Sequence, residues 1–373
     1  MILGSSLLIG SVLWLAFGYL GYPLLALLLA RWSPRGVQSG DSAPTLSVII
    51  AVHNGERELR GKLEATLALE YPSPVEVIVA SDGSTDATDA IAREFANRGV
   101  RLARTEERRG KEAAQANAIQ HASGEILVFT DLSAQLADDA LRQIVRPFCD
   151  PNVGCVSSED IVDSSGGERS YVSIEMWLRR LETRASTLVG LSGSFFAVRR
   201  SLASPWPDDL ASDFRTALES IRRGYRAVSE PRAGARFRAT EDHGAEWQRK
   251  IRTVRRGIAV LAAYRELLHP RYGRAALALW GHKVARFTSP FALLGVLAGS
   301  ALAAVESGFA ATLLVAQLLA YAVGGCALTV RAVGARSIPR LAGFFLLVNA
   351  AIVVAWFYHL SGRRAVTWQP TRR

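Results

Sequence analysis

Three stretches decide the fold: TLSVIIAV (45–52), VEVIVAS (75–81) and EILVFTD (125–131). Each is a short, continuously apolar run rich in β-branched residues. That is the pattern of a strand buried on both faces in a parallel sheet, not the alternation of a strand with one wet face. Between them lie stretches of helical composition, ELRGKLEATLALE (58–70) and TDAIAREFANRG (88–99). Strands alternating with helices in this order predict an α/β fold, a Rossmann-like, doubly wound and mostly parallel sheet with helices on both faces, occupying residues 45–240.

Outward from this domain the composition changes. The chain has 373 residues, of which 49% are hydrophobic and 21% charged, and its mean hydropathy is +0.15. Such a chain has too much apolar material for disorder, and the excess gathers at the two ends. Residues 2–30 contain no charge and exceed the ~20 residues that cross a bilayer as a helix. No basic residue precedes the run and no small-x-small site follows it, which argues against a cleaved signal peptide. Residues 1–31 are therefore expected to form an amino-terminal transmembrane helix, with Arg31 and Arg35 placing the next domain in the cytoplasm. WSPRGVQSGDSAP (32–44) has the composition of a linker.

Beyond the domain, Trp247, Ile251, Val254, Ile258 and Leu261 fall on one stripe of a helix, with Arg249, Lys250, Arg252, Arg255 and Arg256 around it. A second basic and apolar stretch holds Leu277, Trp280, Lys283 and Arg286. Residues 241–286 are expected to form amphipathic helices on an anionic membrane surface; ordinary surface helices on a soluble core are the alternative. Residues 287–360 are expected to hold three transmembrane segments, about 287–305, 309–330 and 341–360, followed by a basic tail over 361–373. Here the charge rule conflicts with itself, because Arg331, Arg336 and Arg340 precede the last segment and the arginines of SGRRAVTWQPTRR follow it. Either that segment re-enters or tilts along the surface, or the tail lies outside.

The net charge of +10 (44 Lys and Arg against 34 Asp and Glu) invites an anionic partner. The arginines cluster beside apolar segments, without an aromatic-basic groove or zinc motif, so membrane lipids are expected and nucleic acid is not. Cys149, Cys155 and Cys326 form no CxxC pair, which excludes a disulfide framework and a zinc site of usual spacing and suits a reducing compartment.

In an open parallel sheet, ligands bind beyond the carboxyl ends of the strands. Asp82, in SDGSTD, and Asp131, in FTDLS, stand at those ends. For Asp82 a turn-and-cap role explains the residue equally well. Asp131 ends a buried strand at a pocket rim, where a carboxylate holds a divalent cation or a ribose hydroxyl.

Taken in order, LSVIIAVHNGE, SDGSTDAT and RRGKEAAQANAIQHASGEILVFTDLSA resemble the catalytic domain of glycosyltransferase family 2, with Gly110, Lys111, Ala116 and Asn117 matching a recurring GK…A-N stretch. The resemblance covers most of residues 45–230 and implies a fold of the nucleotide-diphospho-sugar transferase type. It implies that Ala51, His53 and Glu56 line the nucleobase and ribose pocket, that Asp82 contacts the base, and that Lys111 faces the phosphates. Asp131 would begin the DxD element that holds Mg2+ or Mn2+ on the diphosphate. The second position of that element is Ser133, a weaker neutral ligand, which leaves three alternatives: coordination through water, a metal-sparing site, or a lost activity.

The same resemblance implies a general base ahead of a helix closing in Gly-Tyr-Arg, which LASDFRTALESIRRGYR assigns to Asp213. A helix N-cap is the plain alternative for this residue, and both roles can coexist. A literal TED at Thr240, Glu241 and Asp242 lies beyond the strand AVSEP and is not followed by the same helix, so it is not taken as the base. GLSGSFFAVRR (190–200) is similar to the acceptor-side loop, with Gly193 allowing close approach of a sugar, and Trp177 is a candidate stacking platform or a core aromatic. Gln248 and Arg252 resemble the family's interfacial QxxRW element without its tryptophan, where an arginine holds the leaving diphosphate; lipid headgroup binding is the alternative. VTWQPTRR is similar to the gating or tail motifs of membrane polysaccharide synthases, which places Trp368 and Thr371 near the nucleotide.

The resemblance thus implies a multi-pass membrane glycosyltransferase with a cytoplasmic catalytic domain. It would transfer a sugar with inversion from a nucleotide-sugar donor, a UDP-sugar first, to a glycan or lipid-linked acceptor. A catalytically silent nucleotide- or glycan-binding homologue acting as a membrane assembly partner is the second reading, resting on Ser133.

Overall fold

Two-sided burial is realised in the strands that carry the apolar runs. In the computed structural model, which describes residues 2–163, 167–238, 243–334 and 336–362, β1 (Leu46–Val52) is buried along its whole length. β1 pairs in parallel with β2 (Val75–Asp82) on one side and β4 (Ile126–Asp131) on the other. β3 (Val100–Thr105) extends the parallel set beyond β2. The eight strands lie in the order β3-β2-β1-β4-β7-β6-β8-β5. β7 (Phe195–Arg199) runs antiparallel to β4 and β6 (Val153–Asp163), β8 (Arg226–Arg238) runs parallel to β6, and the short β5 (Gln135–Leu136) closes the far edge.

Successive residues of a strand point to opposite faces, and both faces are dry. Val48 and Ile50 pack with Val79, Val128 and Leu63 of helix Leu59–Leu67. Ile49, Ile78, Leu127 and Phe129 pack with Ala114 and Ala118 of helix Lys111–His121 and Ala217 of helix Ser212–Arg222. Each such side chain contributes ~1.5–3 kcal/mol by leaving water. The register sets Ala51 level with Ala80 and Asp131. β1 thus has β2 on one side and β4 on the other, a switch point where the direction of winding reverses and a crevice opens.

Several expectations are corrected here. β3 alternates buried and exposed residues, an edge pattern that a search for continuous apolar runs passes over. The second half of the expected acceptor-side loop is strand β7, so the loop proper is Gly190–Ser194. The 32–44 linker is pinned to the domain: Arg35 N donates to Arg184 O at 2.7 Å, and the Arg226 guanidinium donates to the carbonyls of Arg35 and Gly36.

Among the described residues four helices are long and apolar enough to cross a membrane by length and composition: Leu3–Trp32, Arg274–Ala303, Gly308–Thr329 and Ser337–Leu360. The expected boundary at 286/287 falls inside the second, so Leu277, Trp280, Lys283 and Arg286 belong to that long helix and not to a separate surface helix. The amphipathic stripe forms helix His243–Ala263. One apolar cluster joins Tyr22 and Ala26 to Leu178, Phe214, Val260 and Leu279, fastening the amino-terminal helix to the sheet domain.

Helix Ser337–Leu360 packs against Gly308–Thr329, a Cβ on Gly343 standing 3.2 Å from Ala327 Cβ, and crosses helix Arg274–Ala303. Phe345 meets Tyr19, the Ser289 hydroxyl donates to Asn349 Oδ1 at 2.7 Å, and Trp356 Nε1 donates to Phe287 O at 2.7 Å. Asn349 and Trp356 are separated by ~10 Å along their helix at 1.5 Å per residue, whereas their partners Ser289 and Phe287 differ by ~3 Å. The same helix packs Ile352 and Ala355 against Val254 and Ile258 of the amphipathic helix.

Candidate functional site

The crevice is built from two loops laced together. Gly83 has φ +57, and a Cβ there would stand 2.7 Å from Arg108 N, so the turn after β2 can press against residues 107–108 only without a side chain. The fully buried Asp82 carboxylate accepts from Arg109 N at 2.7 Å and from Gly110 N at 2.9 Å. These amides precede helix Lys111–His121, where backbone donors lack intrahelical partners. His53 Nδ1 donates to Asp82 O at 2.7 Å. Glu56 Oε2 accepts from Ala87 N at 3.1 Å, and Asn54 Oδ1 accepts from Thr85 N at 2.8 Å. Ala51 is buried beneath this lacing. Asp82 thus serves the turn-and-cap role: its carboxylate is engaged by the backbone that carries Lys111.

Lys111 Nζ donates to Asp131 Oδ1 at 2.5 Å and to Gly193 O at 3.1 Å. Burial works against its charge, yet Asp131, with help from Glu112 and Asp213, holds its pKa above the ordinary lysine value. Lys62 lies behind the same turn, donating to Thr130 Oγ1 at 3.1 Å and Ala134 O at 2.6 Å. There burial pushes its amine down to about 8 against the pull of Asp131.

Asp213 opens helix Ser212–Arg222 and accepts from Phe214 N at 2.8 Å through Oδ1. A Cβ on Gly193 would stand 3.0 Å from its other oxygen, Oδ2. The Gly193 loop is fixed by Asp160 Oδ1, which accepts from the Ser192 hydroxyl at 2.5 Å and the Ser194 hydroxyl at 2.7 Å. Asp131 N donates to Ser194 O at 2.9 Å. One loop therefore links Lys111, Asp131 and Asp213.

From the amphipathic helix, Arg256 forms an ion pair with the buried Glu112. Burial lowers the pKa of this guanidinium, but Glu112 foremost, then Asp213 and Asp131, more than compensate and leave it raised. Arg252, one turn earlier, has its pKa lowered by burial and by Arg256 and Arg249. Arg256 is thus paired with Glu112 beside Lys111, the expected Arg252 stands one turn earlier on the same helix, and the expected Gln248 is exposed. Glu112 lies inside the GK…A-N stretch directly after Lys111, and Arg256 is one of the five basic residues around the apolar stripe, but neither was singled out by the sequence. Asp160, Ser192 and Ser194 carry no sequence signal beyond their residue types.

Of the expected site residues, Asp131, Lys111, Gly193 and Asp213 come together, and Asp82 stands behind the loop. Trp177 is 44% exposed on helix Gly167–Ala185. Trp368 and Thr371, like Thr240, Glu241 and Asp242, lie outside the described residues.

No group of three or more His, Cys, Asp or Glu side chains is placed to hold a metal among the described residues. Asp131, whose side chain is 30% exposed, and the exposed Ser133 offer one carboxylate and one hydroxyl. Mg2+ is typically held by one or two carboxylates with substrate phosphates and waters completing its shell, so this donor set fits an ion shared with a diphosphate.

Lys111 and Arg256 thus stand with Asp131 and Asp213 beyond the carboxyl ends of the parallel strands, where doubly wound α/β domains bind their ligands. Residues 47–205 match the family model described as Glycosyl transferase family 2, and this segment is a domain of that family. The chain is similar to beta-monoglucosyldiacylglycerol synthase of Nostoc sp., 28% identical over 221 residues, covering 54% of this chain and 47% of that protein. It is also similar to an N-acetylglucosaminyltransferase of Azorhizobium caulinodans, 24% identical over 218 residues, covering 52% and 54%. The chain spans about half the length of these curated relatives. Among solved structures, the mannosyltransferase PcManGT from Pyrobaculum calidifontis, in complex with GDP-Man and Mn2+, superposes with a TM-score of 0.71 at 26% identity over 96% of this chain and 100% of that one.

Proposed function

We propose that this protein is a membrane-bound inverting glycosyltransferase that moves a sugar from a nucleoside-diphosphate donor to a glycan or lipid-linked acceptor at the cytoplasmic face. The observation that carries this reading is the meeting of Lys111, Asp131 and Asp213 on the Gly193 loop. Asp213 takes the proton from the acceptor hydroxyl as its oxygen attacks the anomeric carbon. The bond from that carbon to the diphosphate oxygen breaks on the opposite face, its electron pair leaves with the diphosphate, and the configuration inverts. Lys111 and Arg256 neutralise the charge that develops on the leaving group. Asp131 and Ser133 would hold Mg2+ or Mn2+, which supplies further positive charge to the diphosphate when bound.

Ala51, His53 and Glu56 line the base and ribose side, while Asp82 acts through the backbone it holds. The whole-chain likeness to a mannosyltransferase holding GDP-Man supports GDP-mannose as a donor beside the UDP-sugars. The Arg252 and Arg256 face of the amphipathic helix lies over the diphosphate, and the remaining basic residues of that helix meet lipid headgroups. The crossing contacts of helix Ser337–Leu360 support a position along the inner membrane surface beside the amphipathic helix, with both basic flanks on one side. That arrangement removes the conflict in the charge rule. The test is a donor panel: the purified full chain in lipid nanodiscs, given UDP-glucose, UDP-N-acetylglucosamine or GDP-mannose with Mn2+, is expected to release nucleoside diphosphate and label a lipid or glycan with one of them. Failure with every donor, while nucleotide binds, would favour the silent homologue.

A further inference from the structure

A second cluster of charge lies beside the Gly193 loop, where helix Arg274–Ala303 meets the sheet domain. At its centre is Glu175, on helix Gly167–Ala185. Arg286 Nη1 donates to Glu175 Oε2 at 2.7 Å, and His282 Nε2 stands 3.0 Å from Oε1. Both of these partners belong to the long helix. One turn on from Glu175, Arg179 Nε faces Oε1 at 3.5 Å, an ion pair between two largely buried side chains.

The far end of Arg179 serves the Gly193 loop. Its two terminal nitrogens donate to Ser157 Oγ and to Leu191 O, both at 3.4 Å. Ser157 Oγ in turn accepts from Ser192 N at 2.8 Å, and Arg179, Ser157 and Ser192 are all buried. The backbone just before Gly193 is thus carried by one guanidinium, and a carboxylate faces that guanidinium from behind. A charged fork held between such partners out of water is fixed in orientation. Asp160 grips the same loop by the hydroxyls of Ser192 and Ser194, and Lys111 by Gly193 O; the Arg179 contacts lead back to the long helix. A Cβ on Gly193 would stand 3.0 Å from Asp213 Oδ2, so a shift of about 1 Å in the loop changes the space left for an attacking hydroxyl. Misplacement on that scale costs about 10²-fold in rate.

We propose that Glu175 is a positioning residue for sugar transfer. Through Arg179 it holds Leu191 and Ser192 so that the acceptor oxygen is received at Asp213, and its own place is set by Arg286 and His282 of the long helix. The inference rests on the glycosyl-transfer reading, but its first readout does not require transfer. The full chain in lipid nanodiscs is followed by amide hydrogen exchange with mass spectrometry. The peptide spanning Gly190–Ser194 is expected to exchange at least about tenfold faster in Arg179→Met and in Glu175→Gln, while strand β1 stays protected and nucleoside diphosphate affinity holds within about threefold. The double variant is expected to exchange no faster than Arg179→Met alone, because both changes release the same contact. Arg179→Lys keeps a charge facing Glu175 but cannot reach two oxygens at once. It is expected to loosen the loop at least about threefold, which reads the claim even where Glu175→Gln does not fold. With a donor that is turned over, kcat is expected to fall about 10- to 100-fold in Arg179→Met while the donor KM is unchanged. Unchanged loop exchange in Arg179→Met, additive effects in the double variant, loss of protection in β1 together with the loop, or a loosened loop with wild-type kcat overturns the proposal. If the wild-type chain turns over no donor but the loop loosens as expected, the anchoring stands and the transfer reading falls.

Discussion

Lys111 Nζ and Asp131 Oδ1 lie 2.5 Å apart, and the same ammonium reaches Gly193 O at 3.1 Å. The pair joins the first turn of a helix to the end of β4 and to the loop beside Asp213. Replacing Lys111 by Met removes the cation nearest the diphosphate and frees the Asp131 carboxylate to repel it. A charge-assisted hydrogen bond is worth roughly 1.5–3 kcal/mol, so the affinity for nucleoside diphosphate is expected to fall by about 10- to 100-fold. Titration calorimetry with the free nucleotide reads this directly.

Arg256 and Glu112 tie the amphipathic helix to the crevice, and Glu112 Oε1 also accepts from Ser212 N at 3.4 Å, next to Asp213. Glu112→Gln leaves a buried guanidinium without its counter-charge, a change that costs about 3–5 kcal/mol in buried pairs. The double variant Glu112→Gln with Arg256→Met is expected to regain much of that stability, yet to transfer sugar slowly. A double-mutant cycle in thermal unfolding measures the coupling; additive losses would show that the two side chains act independently.

Lys62 carries a pH dependence with a definite sign. Its folded pKa of about 8 is below the ~10.4 of an unfolded lysine, so the unfolded chain binds more protons between those values. Its contribution to stability is therefore unfavourable below pH ~8 and improves as pH rises toward ~10.4, by up to about 3 kcal/mol. Lys62→Met is expected to flatten this rise in Tm between pH ~7.5 and ~10. An unchanged slope would assign the titration elsewhere.

On the proposed topology helix Ser337–Leu360 lies along the inner surface, and Ser361 shares a side with the catalytic domain. In a chain carrying Cys149→Ser and Cys326→Ala, where the remaining Cys155 is buried, Ser361→Cys supplies the one exposed thiol and is expected to react with an impermeant maleimide in inside-out vesicles and to be protected in right-side-out ones. The reverse pattern would mean that the helix crosses.

The central strands were legible because burial on both faces leaves unbroken apolar runs, and β1, β2 and β4 have no alternative partner for such surfaces. β3 was not, since only Val100 and Ala103 are buried, Arg101 and Arg104 face water, and its sequence, VRLART, resembles a loop. Asp131 was legible from its position at the end of a buried strand, whereas Asp213 was reached only through the family resemblance. Asp82 was legible as important but ambiguous in role, because a buried carboxylate at a turn serves a ligand or the backbone equally well until the amides of Arg109 and Gly110 are located. Arg256 was missed for a geometric reason: five basic residues surround the apolar stripe, and only the docking of the helix onto Glu112 selects one. Helix Ser337–Leu360 shows the limit of hydropathy, which reports length and apolarity but not direction.

The most direct test of the account is Asp213→Asn, compared with the wild-type chain in nanodiscs using whichever donor is turned over. The substitution keeps the side chain's shape and its acceptor oxygen for Phe214 N but removes the base. Nucleotide affinity is expected to stay within about twofold, while sugar transfer falls by about 10²- to 10⁴-fold, the range associated with general-base loss. Transfer at the wild-type rate by Asp213→Asn would contradict the account.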